Sequence, residues 1–126
     1  LDDRGATSIV VVQATGYRVD HTLYNIRLLR RFYRQSRPFV LVNDHERISF
    51  HRDCDIRLVG MSGQRVSILA MDTAMVSTQG LLFDMTQCNL GGDNKDSVSN
   101  SLSQSQAVLS ICGEVVLVID SAINLV

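Results

Sequence analysis

The apolar residues divide the chain into one helical stretch and a succession of strands. Ser-Ile-Val-Val-Val-Gln-Ala, residues 8 to 14, is β-branched and almost continuously apolar, which predicts a strand covered on both faces, and Gly16 ends it. From residue 21 to about residue 36 the period becomes helical. Ile26, Leu28, Leu29, Phe32 and Tyr33 share one arc, while Arg27, Arg30, Arg31 and Arg34 share the opposite one. Asp20 is placed as N-cap, Val19 and Tyr24 as a hydrophobic staple, and Pro38 restricts Arg37 and closes the helix.

After Pro38 the pattern is that of β-structure. Residues 39 to 42 read as a strand and Asn43-Asp44 as a turn. Residues 46 to 59 alternate, with Ile48, Phe50, Cys54, Ile56 and Leu58 on one face. Arg47, Ser49, His51, Asp53, Asp55 and Arg57 fall on the other, which reads as one half-buried strand or as two strands with a kink near Arg52-Asp53. Met61-Ser62-Gly63 is a turn, and residues 65 to 71 are expected to pair with the preceding strand as a hairpin. A short strand is expected at 81 to 85. The Gly-, Ser-, Asn- and Gln-rich tract 91 to 106 reads as a flexible polar loop, because it has little apolar surface to bury. Residues 107 to 112 and 115 to 120 then read as a hairpin about Gly113-Glu114. The expected fold is α+β: a mainly antiparallel sheet or barrel of about six to eight strands, packed with one amphipathic helix over about 21 to 36.

Composition narrows this picture. The chain has 126 residues, of which 45% are hydrophobic and 20% charged, so it is neither disordered nor fibrous and suits one domain with one core. No uncharged run approaches the roughly 20 residues of a bilayer crossing. The absence of an initiating Met and the apolar last residues suggest a segment excised from a longer chain. Cys54, Cys88 and Cys112 are odd in number and widely spaced, as free buried thiols in a reducing compartment would be. Net charge is −1, yet residues 18 to 37 carry six arginines against Asp20, leaving −6 for the rest. Eleven of the twelve basic side chains are arginine, which favours planar bidentate contact with carboxylate or phosphate.

Three constellations bear on chemistry. Arg27, Arg30, Arg31 and Arg34 form a basic helix face suited to an acidic partner or to nucleic acid, or simply to solvent and the helix dipole. His45, His51 and Asp53 are the candidate metal ligands, although they lack the spacing of familiar sites, and as exposed polar groups they would instead pair with neighbouring arginines. No nucleophile elbow, phosphate loop or dinucleotide fingerprint is present, so no catalytic residue and no cofactor is nominated.

The order of a strand, Tyr17-Arg-Val-Asp, a helix with Leu23, Asn25 and Leu28-Leu29, then Arg37-Pro-Phe-Val-Leu-Val, an Ile48-containing strand and Val66-Ser-Ile-Leu resembles the N-terminal part of distal-tail or baseplate proteins of tailed phages. The likeness covers residues 8 to 72. It implies a non-catalytic building block of a ring. With apolar strands near both ends and a long polar tract, the leading expectation is a structural or interaction module of a larger, viral or phage, assembly. Its partners would be protein subunits, as a homo-oligomer or part of a larger complex, located in the cytoplasm or a virion, with nucleic acid as a further partner and no membrane. The alternatives are a nucleic-acid-binding module using the arginine face and a metal-dependent hydrolase.

Overall fold

The computed structural model describes residues 9–12, 19–34 and 39–126. Strand β1 (Ile9–Val12) leads through helix α1 (Val19–Arg31) to β2 (Phe39–Val42), which lies parallel to β1. Then follow β3 (Glu46–Val59), β4 (Arg65–Gln79), β5 (Cys88–Gly91), β6 (Ser97–Ser101), β7 (Gln106–Asp120) and β8 (Asn124–Leu125). The fold is α+β, an open, eight-stranded and mainly antiparallel sheet with the order β1-β2-β3-β7-β4-β5; β6 adds to β4 and β8 to β3. No described helix is long and apolar enough to cross a membrane.

The sheet turns back on itself. The residues flanking the two ends of β4, Gln64 and Gly80, accept hydrogen bonds from the consecutive amides of Leu102 and Ser103, both at 2.9 Å. A straight strand of that length would span roughly 50 Å, so β4 must fold in two. The bend falls where its register against β7 slips, between Ala70 and Ala74. Beside it, β3 and β7 slip between Arg52 and Cys54, where Asp53 adopts φ 46° and its carboxylate accepts the Gly113 amide at 2.7 Å. Gly113 has φ +114°, and a Cβ there would stand 2.9 Å from the Thr73 carbonyl oxygen, so the crease requires glycine at this point.

The crease divides the apolar residues into two clusters. Ile56, Leu58, Val66, Ile68, Val76, Leu109, Leu117 and Ile119 belong to the larger one, which runs the length of β7. Leu29 of the helix, Leu41, Ile48, Phe50 and Val116 form the smaller one. Ile48 and Phe50 therefore do not share a face with Cys54, Ile56 and Leu58, as simple alternation predicts. Ser49 and His51 stand opposite Leu117 and Val115 of the large cluster, as Ile56 stands opposite Leu109, so the left-handed residue Asp53 exchanges the faces of β3.

Other expectations are corrected in the same way. β3 and β4 are not hairpin neighbours; β7 lies between them and pairs with both. Its apolar side chains are buried best in the middle of the sheet. Residues 107 to 120 form one strand, bulged at Cys112-Gly113 against β3, rather than a hairpin. The tract read as a polar loop contains β6, whose buried Asn100 exchanges hydrogen bonds with the backbone of Phe83. Residues 81 to 85 are a turn closed by Asp84, which accepts from the Leu81 amide and the Thr78 hydroxyl. Helix α1 starts at Val19, so Asp20 lies inside its first turn, where a carboxylate complements the dipole. It ends at Arg31 rather than near 36, and Tyr33 packs edge-on against Phe50 with ring centroids 5.1 Å apart. Gly16, Tyr17 and Arg37-Pro38 lie outside the described residues.

Candidate functional site

A groove of about 500 Å³ opens between the exposed flank of α1 and the crease. Its lining consists of Tyr24, Arg27, Leu28, Arg30 and Arg31 from the helix, Arg52 from β3 and Met71 from the bent segment of β4. The helical period places the cations on the flank away from Leu29, while the crease brings Arg52 and Met71 up beside them. Glu114, opposite Arg52 in the ladder, holds two of the four. Its carboxylate takes Arg52 through Nε at 2.8 Å and Nη2 at 2.5 Å, and Arg30 through Nη2 at 2.9 Å.

Arg52 is further positioned by a pair of rings, its guanidinium carbon lying 5.4 Å from the centroids of both Tyr33 and Phe50. Arg31 rests over Phe32 at 5.5 Å. Arg27 makes no ion pair among the described residues. Four guanidiniums thus share a groove with apolar side chains, and the one nearby carboxylate pairs with only two of them, which suits a small, multiply charged anion. Of the residues singled out in the sequence, Arg27, Arg30 and Arg31 come together here, whereas exposed Arg34 lies past the helix end and does not line the groove. Sequence reasoning missed Arg52 and Glu114 as members; only the cross-strand register brings them to the helix.

The candidate metal ligands are not assembled. Exposed His45 sits in a turn whose amides are held by the Asn43 side chain, near a separate depression lined by Glu46, Arg65 and Asp120. Asp53 is engaged by Gly113. His51 is half-buried on the side of the large cluster rather than exposed, and it shares a hydrogen bond of 2.7 Å with the buried Ser49 hydroxyl. Burial pushes its pKa down to about 4, so the ring is neutral near pH 7. Among the described residues no carboxylate hydrogen-bonds this imidazole, and no three His, Cys, Asp or Glu side chains gather as a metal-binding set. The three cysteines are free; Cys54 and Cys88 are half-buried and Cys112 is exposed. Burial raises the Cys54 thiol pKa.

Comparison with known proteins places the fold. No family model and no curated protein matches the sequence. Among solved structures, the chain is similar to thiamine pyrophosphokinase from Bacillus subtilis, with 18% identity, 94% of this chain and 57% of that one covered, and a TM-score of 0.84. It is also similar to the enzymes of that name from Geobacillus thermodenitrificans (23% identity, 95% and 57% covered, TM-score 0.83) and Candida albicans (16%, 90% and 43%, 0.80). The chain therefore spans about half the length of these structures. The resemblance to phage distal-tail and baseplate proteins is overturned by these matches, and with it the reading of a non-catalytic assembly module or virion component. They favour neither the nucleic-acid-binding module nor the metal-dependent hydrolase. What they establish for this chain is the fold of one portion of thiamine pyrophosphokinases.

Proposed function

We propose that this chain is one portion of a pyrophosphokinase, in which a pyrophosphoryl group passes from a nucleoside triphosphate to the hydroxyl of thiamine or a closely similar alcohol. The observation that carries this reading is the extent of the fold match, 94% of the chain at a TM-score of 0.84 to a thiamine pyrophosphokinase. Two features of the chain agree with it. The arginine groove offers cationic surface of the kind phosphate-bearing reactants need. The β1–α1–β2 unit is a single parallel crossover whose β1 pairs only with β2 among the described residues, leaving Val10 57% exposed. Parallel strands are ordinarily covered and extended on both sides, so this edge suits the remaining portion of a longer protein or a second copy as its protein partner. Three unpaired thiols suit a reducing compartment.

The test is a product analysis on the full protein. Incubated with thiamine and a nucleoside triphosphate in magnesium buffer, it should form thiamine diphosphate and an equal amount of nucleoside monophosphate. Thiamine monophosphate with nucleoside diphosphate would refute pyrophosphoryl transfer, and absence of any phosphorylated thiamine would refute the reading altogether.

A further inference from the structure

We propose that the charge-free end of the bent sheet, where the turns at 61–64 and 80–83 flank the end of β6, is a docking surface for a second copy of this chain, with Phe83 as its central anchor. The proposal stands apart from the pyrophosphokinase reading, since it uses neither the arginine groove nor any reaction.

The folded-back β4 brings the surface together. Leu102 follows β6, and on one side its amide donates to the Gln64 carbonyl at 2.9 Å while its carbonyl accepts the Gly63 amide at 2.8 Å. On the other side it bridges Leu81, and the Ser101 carbonyl accepts the Leu82 amide at 2.8 Å. Three chain segments therefore lie side by side, and each leaves large apolar side chains in the open. Met61 is 71% exposed, Leu82 60%, Phe83 68% and Val98 62%. Apolar residues scattered singly on a surface are ordinary, but four on adjoining segments mark an interaction site.

Charge selects the occupant. None of residues 58 to 64, 73 to 83 and 97 to 113 is charged, in a chain that is 20% charged. Arg65 and Asp84 stand at the border, and Asp84 spends its carboxylate within the turn, on the Thr78 hydroxyl and the Gly80 and Leu81 amides. Apolar side chains set among serine and glutamine, with no charge to desolvate and none to repel its twin, are complementary to themselves across a two-fold axis. A lipid surface would call instead for a cluster of lysine and arginine, which these segments lack. Two copies pressed together here would cover on the order of 1,000 Å², the size at which specific association begins.

The anchor is also held ready. Asn100, only 3% exposed, accepts the Phe83 amide through Oδ1 at 3.1 Å and donates through Nδ2 to the Phe83 carbonyl at 2.9 Å. Gln64 accepts the Met61 amide at 2.8 Å through its side chain. A buried polar group that fixes the backbone beneath an exposed aromatic residue lowers the ordering cost of association.

Sedimentation velocity of the full protein over micromolar concentrations tests the proposal. A dimer should form, and high salt should not weaken it, because no ion pair crosses the surface. Phe83→Asp should raise the dimer dissociation constant about thirtyfold or more, the scale of a hot-spot residue, and Val98→Asp should act in the same direction. Both side chains are exposed, so circular dichroism should show the fold retained. Met75→Asp places the same charge on an exposed side chain beside the crease and should leave the dimer intact. Amides of residues 61–64 and 80–83 should exchange more slowly as concentration rises. A monomer at every concentration, a dimer indifferent to both Phe83→Asp and Val98→Asp, or one lost equally with Met75→Asp would overturn the proposal. So would a monomer that sediments with phosphatidylcholine vesicles and is released from them by Phe83→Asp, which would assign the surface to lipid. Because mass rather than turnover is measured, failure here and failure of the proposed activity remain distinguishable.

Discussion

Sixteen buried apolar residues fill the bent sheet, whereas five among the described residues seat the helix against it. The large cluster joins β3, β4, β5 and β7 with residues of the connecting turns, so each of its members is supported from several directions in sequence. The small cluster depends on Leu29 for its buried helical contact, and the flank beside it is tied down by the Arg30–Glu114–Arg52 ion pairs and the Tyr33–Phe50 contact. Local stability follows the density of buried apolar contacts, so the two regions should open separately. The candidate site lies at the weakly held end, where a ligand bridging helix and sheet would add proportionally most.

The sharpest way to break this comparison is a matched pair of cavities. Leu109→Ala, in the large cluster, should lower the free energy of unfolding by about 3–5 kcal/mol in urea titrations and speed amide exchange throughout the sheet. Leu29→Ala removes an equally buried side chain, but should cost about 2–3 kcal/mol, with faster exchange confined to α1. Equal exchange in both regions for the second variant would mean that the two clusters form one cooperative unit.

Acid should discriminate next. The pKa of His51 is lowered to about 4 by burial on the large-cluster side, below its unfolded value near 6.5. Between these values the unfolded chain binds a proton that the native chain does not, so stability falls as pH drops through this window. The full effect is about 3 kcal/mol, reached near pH 4, and His51→Gln should flatten the pH dependence of the urea midpoint between pH 6.5 and 4. Gly113→Ala should cost about 1–3 kcal/mol, because a Cβ at φ +114° meets the Thr73 backbone across the crease. If it also shifts the near-ultraviolet tyrosine signal, and Tyr33→Phe removes that shift, the crease and the groove are mechanically joined.

These experiments turn on features that the sequence displays unevenly. The helix was legible because Ile26, Leu29 and Tyr33 repeat at its period and do pack on the sheet, with the arginines turned outward. Long β3 was legible from alternation, and even its irregularity near Arg52-Asp53 was visible. Which face each half of β3 presents was not, because one residue with positive φ reverses the parity and nothing in the side chain of Asp53 announces it. Strand order was hidden for another reason: β7 enters between β3 and β4 from some thirty residues further along the chain, a non-local pairing that local turn chemistry cannot report. The groove inherits that difficulty. Three of its arginines could be seen on the helix, but Arg52 and its partner Glu114 are 62 residues apart and meet only through the β3–β7 register.

The smallest effect concerns that meeting. Arg52→Lys keeps the charge yet gives up the two-pronged contact with Glu114 and the planar packing over Tyr33 and Phe50. Both partners remain in reach of water, the side chain of Arg52 being 43% exposed, so the loss should be about 0.5–1 kcal/mol in low salt. Adding salt to about 1 M should shrink the Coulombic part of the difference and leave the packing part. A difference that vanishes entirely in salt would assign the position of Arg52 to Glu114 alone. One that persists unchanged would assign it to the rings, and the helix-covered half would then be held at its edge by the same apolar packing that holds the sheet.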